Sequence, residues 1–128
     1  MKYLFLSTLL LAISACQPGT PGPPADTIDE YTGHTYVRYG FKSPVNGKEV
    51  YYYLSFLKNA GIESYVKYNK TERGPDTQTG TYTQTGTTNT GTVKQLKLTL
   101  DGTTYDADIK GNTLIFHNPS GDLLYTKE

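Results

Sequence analysis

One thiol, two imidazoles and a loose group of carboxylates are the side chains here that could do chemistry. Cys16 is the only cysteine, so the chain can form no internal disulfide. His34 and His117 are far apart in sequence and would meet only if the first and seventh strands came together. Even then, two imidazoles fall short of the three or four ligands that zinc takes. Asp101, Asp106 and Asp108 are the densest acidic group. At strand rise Asp106 and Asp108 stand roughly 7 Å apart on one face, short of the six to eight oxygens of a calcium loop, and no cleft is visible for a glycosidase carboxylate pair. Solvated charges that discourage edge pairing account for them better. There is no G-x-S-x-G. No catalytic residue, metal site or cofactor is therefore expected.

The tyrosines stand out instead. The chain has 12 Tyr, 4 Phe and no Trp. Tyr51, Tyr52 and Tyr53 are consecutive, with Tyr36, Tyr39, Tyr65 and Tyr68 on neighbouring segments. Tyr combines a large rigid contact area with a polar tip, a combination favoured at binding surfaces. Tyr36, Tyr39, Tyr51, Tyr53 and Tyr65 are thus the candidate contact surface for a protein loop or a glycan. The alternative is plain β-propensity and barrel-wall packing.

Three kinds of segment must position these groups. Met1-Lys2-Tyr3 is a short positive start, Leu4 to Ala12 is mostly apolar, and Ile13-Ser14-Ala15-Cys16 follows. The apolar run is too short for the roughly 20 residues a spanning helix needs and fits the core of an export signal. Small residues followed by Cys resemble the lipobox of bacterial lipoproteins. That resemblance implies cleavage before Cys16 and acyl chains, palmitate among them, on its sulfur and amine. Two or more such chains give stable attachment, at about 0.8 kcal/mol per buried methylene. Gln17 in place of Asp resembles the signal for an outer-membrane destination, so the expected location is the bacterial cell envelope, lipid-anchored at the outer membrane. Gln17 to Ala25 is rich in Pro and Gly and can form neither helix nor sheet. With Asp26 to Glu30 added, it makes a spacer with a reach on the order of 40 Å. The expected organisation is a signal peptide at 1–15, lipidated Cys and tether at 16–30, and one domain at 31–128.

That domain reads as all-β. Turn signals recur at Asn46-Gly47, Asn59-Ala-Gly61, Arg73-Gly-Pro-Asp76, Thr85-Gly86 through Gly91, Asp101-Gly102, Gly111-Asn112 and Pro119-Ser-Gly-Asp122. The segments between them alternate with period two. Leu96, Leu98 and Leu100 share a face opposite Lys97 and Thr99, and Tyr105, Ala107 and Ile109 share a face opposite Asp106 and Asp108. About eight short antiparallel strands hide their edges best by closing into an up-and-down barrel, whose interior should be mostly filled, with an open mouth.

The stretch Gly80-Thr-Tyr82-Thr-Gln-Thr-Gly86, the strand and turn from Leu96 to Tyr105, and the hairpin Ile109-Lys-Gly-Asn-Thr-Leu-Ile-Phe116 resemble the lipocalin-like lipoproteins of Bacteroidota. The likeness covers about the C-terminal half of the domain and implies a calycin-type barrel. The G-x-W of true lipocalins is absent. Tyr31-Thr-Gly33-His-Thr-Tyr36 stands there, with Tyr36 as the residue that would plug the floor.

Net charge is +0, with no basic run, so nothing draws the chain to nucleic acid. The expectation is a non-catalytic envelope lipoprotein acting as a binding module for a protein, a glycan or a small apolar ligand. Its partners would be the membrane, through the anchor, and a protein or glycan. The alternatives are an inhibitor of an exogenous enzyme such as lysozyme and a structural accessory of an outer-membrane assembly.

Overall fold

The computed structural model describes residues 26–88 and 90–128. The expected signal peptide, lipidated Cys16 and most of the tether lie outside those residues. Eight antiparallel strands follow one another and close into a barrel in the order β1 to β8. They are β1 (Thr35–Lys42), β2 (Glu49–Leu57), β3 (Gly61–Tyr68), β4 (Glu72–Thr87), β5 (Val93–Leu100), β6 (Thr103–Lys110), β7 (Thr113–Asn118) and β8 (Gly121–Lys127). The expected all-β up-and-down barrel is what the chain forms.

Tight turns set the register. Asp101 and Gly102 have φ of 46° and 82°, the left-handed pair that suits the twist of a hairpin. Asn69 and Lys70 do the same at 51° and 64°, and here the sequence misleads. Arg73-Gly-Pro-Asp76, expected as a turn, lies inside β4. Pro75 has no N–H to give a ladder. The β3–β4 register jumps from Tyr65↔Thr77 to Lys67↔Arg73, so Gly74, Pro75 and Asp76 bulge out opposite Val66.

Alternation then sorts the side chains. Leu54, Phe56, Ile62, Leu96, Leu98 and Leu114 point inward and are almost fully buried. Aromatic rings finish one end of this core. Phe56 packs edge-on against Tyr82 at 4.8 Å and against Tyr36 at 5.7 Å, and Tyr31 meets Tyr82 at 5.9 Å and 90°.

Tyr31 enters on a turn that precedes β1 and closes the floor. The Asp29 carboxylate holds that turn by accepting from the Tyr31 amide at 2.9 Å, the Thr32 amide at 3.1 Å and the Tyr82 hydroxyl at 2.6 Å. The Tyr31 hydroxyl donates to Gln84 at 2.8 Å. Just upstream, the Thr27 amide donates to the Asn59 side chain at 2.7 Å, and Lys58 pairs with Asp26 at 2.8 Å. Residues 26–30, expected to lengthen the spacer, are therefore docked on the β2–β3 turn. Hydrogen bonds available only in the folded barrel take them out of the tether.

The barrel closes at its narrowest seam. β8 pairs with β1 through Tyr36↔Lys127 and Val37↔Thr126. The next residues toward the other end, Arg38 and Tyr125, stand where the two strands part.

Candidate functional site at the open mouth

The end opposite the floor is open. A cavity of about 220 Å³ descends there between the strands. Its wall mixes rings and aliphatic side chains with polar groups. Tyr105 and Phe116 lie 4.8 Å apart, and Phe116 and Tyr125 lie 6.4 Å apart, with Leu54, Leu100 and Leu123 below and between them. Three neutral polar side chains, Ser64, Gln78 and Asn118, interrupt the wall.

Among the described residues the cavity has one charged group, Arg38. On β1, Tyr36, Arg38 and Gly40 fall on the inward face by alternation, and Arg38 is in register with Tyr52 of β2. Its guanidinium carbon lies 4.5 Å from the centre of the Tyr52 ring and 5.5 Å from that of Tyr125. Both are within cation–π range. Gly40 makes this possible, because a Cβ there would run into the Tyr52 ring. Arg38 Nε is buried and has no hydrogen-bond partner among the described residues. Burial pushes the Tyr125 phenol up, and the neighbouring Arg38 partly opposes it.

The outer wall is arranged differently. Tyr53 and Tyr65 stack at 5.3 Å and 7°, the Tyr65 hydroxyl meets Ser55 at 3.0 Å, and Arg73 lies 4.0 Å over Tyr65 while pairing with Glu63 at 3.0 Å. Lys67 covers Tyr53 at 4.8 Å.

The expected tyrosine surface is therefore mostly unavailable. Tyr36 is 2% exposed and belongs to the interior, beside the floor, because alternation from Arg38 points it inward. Tyr53 and Tyr65 are 2% and 7% exposed, since neighbouring side chains lie over them. Tyr39 remains open at 51% and meets Tyr51 edge-on at 5.3 Å.

His34 and His117 are not brought together: β1 borders β2 and β8, and β7 lies beyond β8. The two His117 ring nitrogens are taken by Asp108 at 2.9 Å and Asp122 at 2.8 Å. Those hydrogen bonds, Asp108 first, raise its pKa above 6.5. Each carboxylate meets a different ring nitrogen, and no metal-holding group of three His, Cys, Asp or Glu occurs among the described residues. Asp106 faces outward and pairs with Lys97 at 2.8 Å.

Compared with protein-family models, curated proteins and solved structures, the chain matches none of them. Its function must be argued from the mouth itself.

Sequence reasoning left Arg38, Tyr52, Tyr105 and Tyr125 out of the candidate contact surface. A signal for Arg38 was present: in Thr35–Lys42 it shares a face with Tyr36, and a charge on the inward face of a small barrel is unusual unless it has a task.

Proposed function

We propose that this chain is a non-catalytic binding module of the bacterial envelope, anchored at the outer membrane by lipid on Cys16, and that its ligand enters the barrel mouth. One observation carries the second half: a cavity of about 220 Å³ at the end opposite Tyr31 holds the inward Arg38 beside the Tyr52 and Tyr125 rings. Packed interiors leave few voids larger than a water molecule, so a walled hollow beside an inward arginine is a binding feature. The volume lies below the roughly 300–1,000 Å³ of sites for drug-sized molecules, which favours a small ligand.

The anchor rests on the lipobox resemblance at Ile13-Ser14-Ala15-Cys16. Cys16→Ala should release the chain from the membrane fraction, and a variant that still sediments with membranes would remove the anchor from this reading. For the mouth, small amphiphiles should move the amide resonances of Asn118 and Leu123. Shifts confined to the outer β1–β2 face would instead support a second reading. Tyr39, Phe41 and Leu124 are exposed on the strands that flank the seam, and such a patch suits a protein contact.

A further inference from the structure

We propose that the mouth takes a small organic carboxylate with an apolar body, and that Arg38 is its counter-ion. This rests on the mouth being the ligand site.

The chain's two arginines make the case by contrast. Both lie over a tyrosine ring, Arg73 over Tyr65 at 4.0 Å and Arg38 over Tyr52 at 4.5 Å. Arg73, on the outer wall, also has a carboxylate, Glu63, at 3.0 Å. Arg38, half-buried in the mouth, has none, and its Nε finds no acceptor among the described residues. Among the described residues no Asp or Glu lines the cavity. A guanidinium cannot shed its proton, and a charge withdrawn from water without a partner is costly. The Tyr52 and Tyr125 rings offset part of that cost, but no carboxylate among the described residues lines the cavity, so an anion from outside is the missing partner. The Tyr52 ring lies under the guanidinium, whose terminal N–H groups are left to donate to a carboxylate in bidentate fashion.

The walls select what the carboxylate is attached to. Tyr105, Phe116 and Tyr125 present ring surface, with Leu123 beside them. A hydrated inorganic anion would leave that surface unused, whereas a ring or short alkyl chain would cover it. Ser64, Gln78 and Asn118 are neutral, so they add hydrogen bonds without repelling the anion.

The test titrates the full chain with benzoate, its neutral analogue benzyl alcohol, and inorganic phosphate, read at the amides of Asn118 and Leu123. Benzoate should bind about tenfold or more tightly than benzyl alcohol, the difference one charge-assisted hydrogen-bond pair makes. Arg38→Met should bring benzoate down to the level of the alcohol. Arg38→Lys, which keeps the charge but loses the fork, should fall between.

Equal binding of benzoate and benzyl alcohol at the mouth would overturn the counter-ion role while leaving the mouth as a ligand site. Phosphate binding as well as benzoate would overturn the apolar body. If no probe moves the mouth amides, both this inference and the mouth reading fail. Should Arg38→Met not fold, the benzoate-to-alcohol ratio in the unmodified protein decides alone.

Discussion

The two ends of the barrel are built from the same kinds of residue and treat them in opposite ways. At the floor, Tyr31 and Tyr82 bring hydroxyls into the core, and each has a partner: Gln84 at 2.8 Å for one and Asp29 at 2.6 Å for the other. At the mouth, Tyr52 and Tyr125 flank Arg38, whose Nε is buried with no acceptor among the described residues. The floor spends its polar groups on holding the fold together. The mouth keeps one in reserve. Buried polar groups are nearly always satisfied in native proteins, so each exception calls for an explanation. Here the exception coincides with the hollow and with the point where β1 and β8 separate.

The contrast is sharpest in stability. Phe56→Ala removes the ring on which Tyr31, Tyr36 and Tyr82 converge. Urea unfolding should show a loss of about 4 kcal/mol. Leu123→Ala, at the rim of the mouth, should cost about 1 kcal/mol or less, because its site is already hollow and only partly buried. Equal losses at the two positions would mean that the mouth is packed like the floor.

Next in size is Tyr82→Phe. It strips Asp29 of a hydroxyl donor while the carboxylate stays in place, and should cost about 2 kcal/mol. Burial pushes the Asp29 carboxyl up, but the bonds from Tyr82, Tyr31 and Thr32 outweigh it, so its pKa lies below 3.8. The same bond and burial push the Tyr82 phenol up to about 12, burial being the larger cause. A depressed carboxylate contributes stability above its unfolded pKa and loses it as pH falls through the folded one. The floor should therefore weaken below pH 3.8, and Asp29→Asn should flatten that part of the stability–pH curve.

Arg38→Met tests the other end, with the opposite sign. Replacing a half-buried charge that has no carboxylate partner by an apolar side chain of similar length should leave stability unchanged or raise it by about 1 kcal/mol in the unliganded protein. A clear loss on thermal unfolding would mean that Arg38 supports the fold after all.

The smallest effect is expected at His117, outside both ends. Its pKa is raised by Asp108 and then Asp122, so its contribution is complete below pH 6.5 and fades as pH climbs through the higher folded value. With the side chain 37% exposed, solvent screening should keep this under about 0.5 kcal/mol. His117→Gln should remove the dependence without touching ligand binding at the mouth.

The sequence by itself determined the class of fold and most of its punctuation. Period-two alternation in Leu96–Leu100 and Tyr105–Ile109 decides which face is wet, and pairs such as Asp101-Gly102 place hairpins, because both signals act between near neighbours. It failed at Arg73-Gly-Pro-Asp76, where a bulge opposite Val66 absorbs the proline and Asn69-Lys70 makes the turn. It also failed for the tyrosines as a group. Tyr36, Tyr39, Tyr53 and Tyr65 share a propensity, yet one lies inside, one is open and two are covered from outside. Only the closed barrel decided that, because covering depends on strands distant in sequence. The site followed the same rule. Whether Arg38 finds a carboxylate depends on every strand that faces it across the interior, and no local pattern records that none of them supplies one.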